Sequence, residues 1–178
     1  MPKEPQRRVA LIDELVSMLR TSVAYTVMVS QAAADRIGIN TTDLHSLNMV
    51  AFSEREVSAG DLAGMIGLTT ASITGIVDRL EREGLVRRVR DPQDRRRVVI
   101  ELIPENTRER VAPVFAPLLA EWQAELSRYS DRELDLILEF QQRTLEIMKG
   151  QVTRLRQPRP PDASPAKPSR RRSTSEVS

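Results

Sequence analysis

Residues 58–105 read SAGDLAGMIGLTTASITGIVDRLEREGLVRRVRDPQDRRRVVIELIPE, and two glycines and one change of period within this stretch decide the fold. Gly67 and Gly84 each follow a run with helical spacing, where a glycine can take the left-handed conformation without a Cβ clash. Between them Ile73, Ile76, Val77 and Leu80 fall at i, i+3, i+4 and i+7, the buried face of a helix over about 70–83. Ser58 followed by Asp61 has capping-box spacing and opens a shorter helix to Ile66. Beyond Gly84 the period becomes two, with Val98, Ile100 and Leu102 alternating with Val99 and Glu101. The turn at 91–94 joins this strand to 85–90, so the stretch predicts helix, turn, helix and hairpin.

Working outward, Ile12, Leu15, Leu19 and Val23 mark one long helix over 7–37, with Val16, Val27 and Met28 widening its stripe. Asn40 or Thr41 caps a second helix through Leu44, Leu47 and Val50. Past the hairpin, Pro104 suits the first turn of a single helix running to Tyr129 through Val111, Phe115, Leu118, Trp122 and Leu126. Ser130 and Glu133 form a capping box for the last helix, in which Leu134, Leu138, Gln141, Leu145, Met148, Val152 and Leu155 alternate four and three apart. Ile137, Phe140 and Ile147 add a second stripe. Two apolar faces exceed what one neighbour covers, so the terminal helices are read as a homodimer interface, with a monomer whose long helices pack on each other as the alternative. The fold class is mainly α with one β-hairpin. Its parts are an N-terminal dimerisation helix (1–40), a central lobe of helices and hairpin (41–103), C-terminal dimerisation helices (104–156) and a basic, Pro-rich tail (157–178). The tail, with five prolines and almost nothing apolar, is expected to be disordered; its SRRRS cluster either adds non-specific phosphate attraction or is simply solvated.

Composition narrows the function. With 178 residues, 40% of them hydrophobic, the chain suits one domain plus a tail. No cysteine is present, which removes disulfides, thiolate metal sites and cysteine redox chemistry, and His45 as sole histidine leaves no nitrogen and sulfur ligand set. No cofactor or metal is expected. A phosphate-binding Gly-Lys-Ser/Thr loop is missing, as are the usual nucleophile and base pairs, so the chain does not read as an enzyme. No apolar run approaches the roughly 18 residues of a membrane span and no signal-peptide pattern opens the chain, so a cytoplasmic protein without membrane partners is expected.

Charge is concentrated. Arg79 to Arg97 holds eight arginines against four acids, a net +4, and 157–178 carries +3, which leaves the remainder at −5 of an overall +2. A basic patch on an acidic body is the footprint of a polyanion-binding face. A helix-turn-helix needs a small residue where its helices cross, a turn glycine, and branched anchors on the second helix, and Ala63, Gly67, Ile73 and Ile76 supply these in register. The outward face of that second helix is Thr70, Ala71, Thr74, Gly75 and Asp78, flanked by Ser72 and Arg79. Ser58, Thr69, Thr70, Ala71, Ser72 and Thr74 are therefore candidate contacts to bases or phosphates of double-stranded DNA, and Arg79 to a phosphate. On the helix alone, caps and solvated hydroxyls are an equal reading. The hairpin tips the balance, because Arg95, Arg96 and Arg97 on a narrow projection suit a minor groove, with Asp94 orienting an arginine. The rival is a winged-helix architectural or protein-interaction module that binds without sequence choice.

The run from Ser58 to Glu105, with its D-x-R at Asp94 to Arg96, resembles the multiple-antibiotic-resistance regulator (MarR) family, and the likeness extends over 7–156. That resemblance implies a homodimeric winged helix-turn-helix transcription regulator, commonly a repressor, reading a palindromic operator. It implies that Thr70, Ser72 and Thr74 meet the major groove and Arg96 the minor groove. Ile103 departs from the pattern, which commonly places a Thr or Ser cap there. Many members release DNA on binding a small aromatic or phenolic effector between the dimerisation helices and the DNA-binding lobe. Tyr25, Met28, His45, Met49 and Trp122 are candidates for such a pocket, with plain core as their other reading.

Overall fold

In the computed structural model, residues 4–91, 94 and 96–157 are described. The chain forms two compact units, Met1–Arg128 and Tyr129–Ser178. The first holds α1 (Glu4–Ile37), α2 (Thr41–Ala51), β1 (Val57–Ser58), α3 (Ala59–Ile66), α4 (Thr70–Arg82), β2 (Val86–Arg90), β3 (Val98–Leu102), α5 (Pro104–Arg110) and α6 (Ala112–Leu126); the second holds α7 (Asp131–Arg156). The fold is mainly helical with a small antiparallel sheet. The proposed tail falls almost wholly on 158–178, outside the described residues.

Local chemistry sets these boundaries. Asn40 caps α2, its Oδ1 accepting from the Asp43 amide at 2.8 Å, which decides between the two expected caps. Ser58 and Asp61 close a capping box on α3: the Asp61 amide donates to Ser58 Oγ and the Ser58 amide to Asp61 Oδ2. Gly67 at φ +81° and Gly84 at φ +68° end α3 and follow α4 in the left-handed region. Ile103 offers no side-chain cap to α5.

The structure corrects the sequence reading in two places. The helix expected over 104–129 is broken at Val111 into α5 and α6, because Pro113 has no N–H for a helical bond and disfavours the helical region just before it. The Val114 amide bonds back to Val111 across the join at 3.1 Å. The sheet has three strands in the order β1-β3-β2, not two. Val57 and Ser58 pair with Ile100 and Val99, and a two-residue strand has no period to betray it.

The main core joins these elements: Leu47 of α2, Leu62 and Ala63 of α3, Ile73, Ile76, Val77 and Leu80 of α4, and Val57, Leu85, Val86 and Ile100 around the sheet. A smaller cluster packs Ala33, Ala34 and Ile37 of α1 on Leu44, with Val114 and Phe115 of α6 beside it. Along the remaining length of α1 the large apolar residues are exposed, apart from the half-buried Leu19. No single described helix is long and apolar enough to cross a membrane.

Candidate nucleic-acid interface

Helices α3 and α4 turn by 110° about Gly67, within the range of a helix-turn-helix. Both the Gly67 and Leu68 amides donate to the Ala63 carbonyl and close α3, while the small side chain of Ala63, 8% exposed, packs in the core with the anchors of α4. Four anchors bury one side of α4, and Thr70, Ala71, Ser72 and Thr74 lie exposed on the other. Thr69 is the N-cap, its Oγ1 accepting from the Ser72 amide at 3.2 Å and lying 2.9 Å from Ser72 Oγ. Thr74 donates its hydroxyl to the Thr70 carbonyl at 3.0 Å, which leaves its oxygen lone pairs outward as acceptors. The helix thus presents small side chains with hydroxyl acceptors and no bulk.

The described arginines between positions 79 and 97 divide into two groups. Four are engaged within the protein. Arg79 donates from Nε and Nη2 to Asp43 at 2.9 and 2.6 Å, and Asp43 has a side chain only 3% exposed, also bonded by Asn40 Nδ2. This bidentate bond raises the Arg79 pKa above its ordinary value. Arg87 pairs with Glu101 across the hairpin, and Arg88 of β2 reaches both Asp78 and Glu81 of α4. Arg97 bonds Asp61, Asp91 and the Glu56 carbonyl. Arg82, Arg90 and Arg96 have no ion pair among the described residues.

Several expectations change in consequence. Arg79 is committed to Asp43 instead of standing free for a phosphate, and Arg97 is tied to the body of the lobe. Ser58 is occupied by its capping box, its hydroxyl donating to Asp61 Oδ2 at 2.6 Å. The contact between Asp94 and Arg96 is through main chain: Asp94 Oδ1 accepts the Arg96 amide at 3.0 Å, and Arg96 is exposed. Arg95 lies outside the described residues. Sequence reasoning passed over Arg88 and Arg90 as individuals; Arg88 straps the hairpin to α4, and only its place opposite Ile100 in the ladder signals an inward side chain.

The charge on Asp61 is well held. The Ser58 hydroxyl and amide, then Arg97, keep its carboxyl far below the usual carboxylate range. An open groove of about 1180 Å³ runs between the start of α2 and α4, lined among others by Asn40, Asp43, Ser72, Gly75 and Arg79. None of the five candidate effector residues lines it. Tyr25 and Met28 on α1, His45 and Met49 on α2, and Trp122 on α6 are all exposed, Tyr25 by 63% and Trp122 by 57%.

Comparison with known proteins agrees with this geometry. Residues 39–98 match the model of the MarR family. YcgE of Bacillus subtilis (strain 168), an uncharacterized HTH-type transcriptional regulator, is 37% identical over 142 residues, 80% of this chain and 91% of its own. A MarR family protein from Bacillus stearothermophilus shares the fold with a TM-score of 0.59 at 26% identity, over 81% of this chain and 97% of that one. CouR from Rhodococcus jostii RHA1, solved with p-coumaroyl-CoA bound, gives 0.52 at 25% identity over 74% and 92%. With its helix-turn-helix and wing in place and a relative similar along most of its length, the chain belongs to the MarR family of DNA-binding transcriptional regulators.

Proposed function

We propose that the protein acts as a homodimeric repressor that reads a palindromic operator and is released by a small aromatic or phenolic effector. The observation that carries this reading is the division of labour on one lobe: α4 offers Thr70, Ser72 and Thr74 on an exposed face, and Arg96 is exposed on the hairpin with its amide held by Asp94. Small hydroxyl residues permit close entry into a major groove, and an unpaired guanidinium suits the negative potential of a minor groove. Exposed apolar residues along α1, among them Leu15 and Val16, support a second chain as partner. A dimer covering a promoter in the cytoplasm would exclude other proteins from the same duplex, hence repression.

The effector reading draws on CouR, whose structure holds p-coumaroyl-CoA. Tyr25, Met28, His45, Met49 and Trp122 supply apolar and aromatic surface for such a ring, with enclosure provided by the second chain. Selection of sites from random duplexes, followed by anisotropy titration, tests the whole reading. A selected site is expected to bind about 1,000-fold or more tighter than random duplex, and phenolic compounds are expected to reverse that binding. A ratio near one would instead identify an architectural module, and an upward change in reporter expression on binding would identify an activator.

A further inference from the structure

Arg97 stands where the hairpin returns to the body of the lobe, and its guanidinium reaches three separate segments. Nη2 donates to Asp61 Oδ2 at 2.8 Å, at the start of α3, and to the Glu56 carbonyl at 3.1 Å, just before β1. Nη1 donates to Asp91 Oδ2 at 3.3 Å, at the end of β2. The main chain closes the same base: the Asp91 amide donates to the Arg97 carbonyl at 3.0 Å, and the Arg97 amide to the Asp94 carbonyl at 2.8 Å. Arg96 therefore lies between two residues joined to Asp91, since the Asp94 amide also donates to Asp91 Oδ1 at 3.2 Å.

We propose that Arg97 is a positioning residue for DNA binding, tying the base of the wing to the start of α3 so that Arg96 meets the duplex from a fixed hairpin. This rests on the reading of Arg96 as a DNA contact. Arg97 shares its guanidinium between Asp61 and Asp91, with Arg55 a second cation 3.8 Å from Asp61, so its donors are committed within the lobe and make it a poor phosphate partner. The planar fork reaches these acceptors from two separate nitrogens, Nη1 and Nη2; an ammonium keeps the charge but carries its three donors on a single nitrogen and does not reproduce that span. A wing already fixed in the free protein loses less entropy on docking, so the clamp acts on affinity through preorganisation.

Four variants, titrated on a selected duplex over a range of salt, test this: R96A, R97K, the R96A/R97K double variant, and D61N, each with a thermal melt. R96A is expected to bind about tenfold or more weakly and to lower the salt slope by about one. R97K keeps the charge yet is expected to weaken binding comparably, and to add less than about twofold in the R96A background, as coupled sites do. D61N removes a negative charge from a DNA-binding lobe, and is nonetheless expected to bind more weakly. R97K at wild-type affinity, multiplying losses in the double variant, or tighter binding by D61N would each overturn the role. R96A without effect removes the wing from DNA binding, and this role with it; R96A weakened beside an unaffected R97K removes the positioning role alone. D61N also loses part of its capping box, so R97K, which leaves that cap intact, decides the matter if D61N unfolds.

Discussion

Asp43 is a carboxylate placed where water scarcely reaches, and Arg79 is what makes that placement tolerable. Removing one partner of such a pair leaves an uncompensated charge, but Arg79 is 42% exposed at its side chain and water relieves part of the cost. Arg79→Met is therefore expected to destabilise the fold by about 2 kcal/mol in urea unfolding. The slope of DNA affinity against salt is expected to stay unchanged; a slope lowered by about one with stability intact would restore Arg79 as a phosphate contact. Asp61 makes a second residue-scale prediction, in pH. Its folded pKa lies below the unfolded value of about 3.9, so the unfolded chain binds more protons as pH falls. Its contribution to stability is complete above that unfolded value and is lost as pH falls toward the folded one. Asp61→Asn should therefore flatten the acid limb of a stability curve below about pH 4, and an unaltered limb would count against the clamp's electrostatics. Neither partnership was legible in the sequence. Asp43 lies 36 residues from Arg79, and Asp61 lies 36 from Arg97, so the arginines read only as a run of positive charge. Period and spacing report which face a residue occupies, not which distant carboxylate meets it there.

Helices and their ends were the most legible features, because caps, turn glycines and apolar period are local. Ser58 with Asp61 and Ser130 with Glu133 both form their boxes, and in the second the Ser130 hydroxyl and amide hold the Glu133 carboxyl below its ordinary pKa. What escaped was either too short for a period, as with β1, or a conflict between signals, as at Pro113 inside an otherwise helical apolar pattern. Two glycines show how differently one residue type can serve an element. Gly84 has φ +68°, and a Cβ there would lie 2.8 Å from Asn106 Nδ2, which itself donates to the Gly84 carbonyl. Gly84→Ala is expected to cost about 1–2 kcal/mol from the left-handed conformation alone, read as a lowered melting temperature. Gly75 sits inside α4, where a Cβ would meet only Arg79 Nη1 at an ordinary 3.8 Å. Folding gives no reason for glycine there, since alanine would stabilise the helix by about 0.5–1 kcal/mol. The proposed entry of α4 into a major groove gives one: on that side a methyl would hold the backbone off the base edges. Gly75→Ala is expected to melt higher and bind the selected duplex more weakly; higher melting with unchanged affinity would place that face away from DNA.

At the scale of the molecule, the lobe with the exposed arginine is only half of the proposed machine. Exposed apolar side chains run along α1 at Leu11, Ile12, Leu15 and Val16, and α7 separately exposes Leu138, Leu145 and Met148, more greasy surface than a monomer usually leaves in water. Sedimentation at micromolar concentration is expected to show a dimer, and Leu15→Glu to shift it toward monomer with a loss of operator affinity; a wild-type monomer would refute the pairing. The dimer in turn fixes a distance. Two recognition helices related by a two-fold axis must enter the same face of the duplex, so half-sites should lie about one helical turn apart. Inserting five base pairs between them rotates one half-site to the far face, and tight binding should be abolished. Inserting about ten restores the face but adds a further turn, roughly 34 Å, which rigidly joined lobes cannot span. Loss with both insertions therefore indicates a fixed dimer, recovery with ten alone indicates lobes that reach flexibly, and tolerance of both would mean that each chain reads DNA by itself.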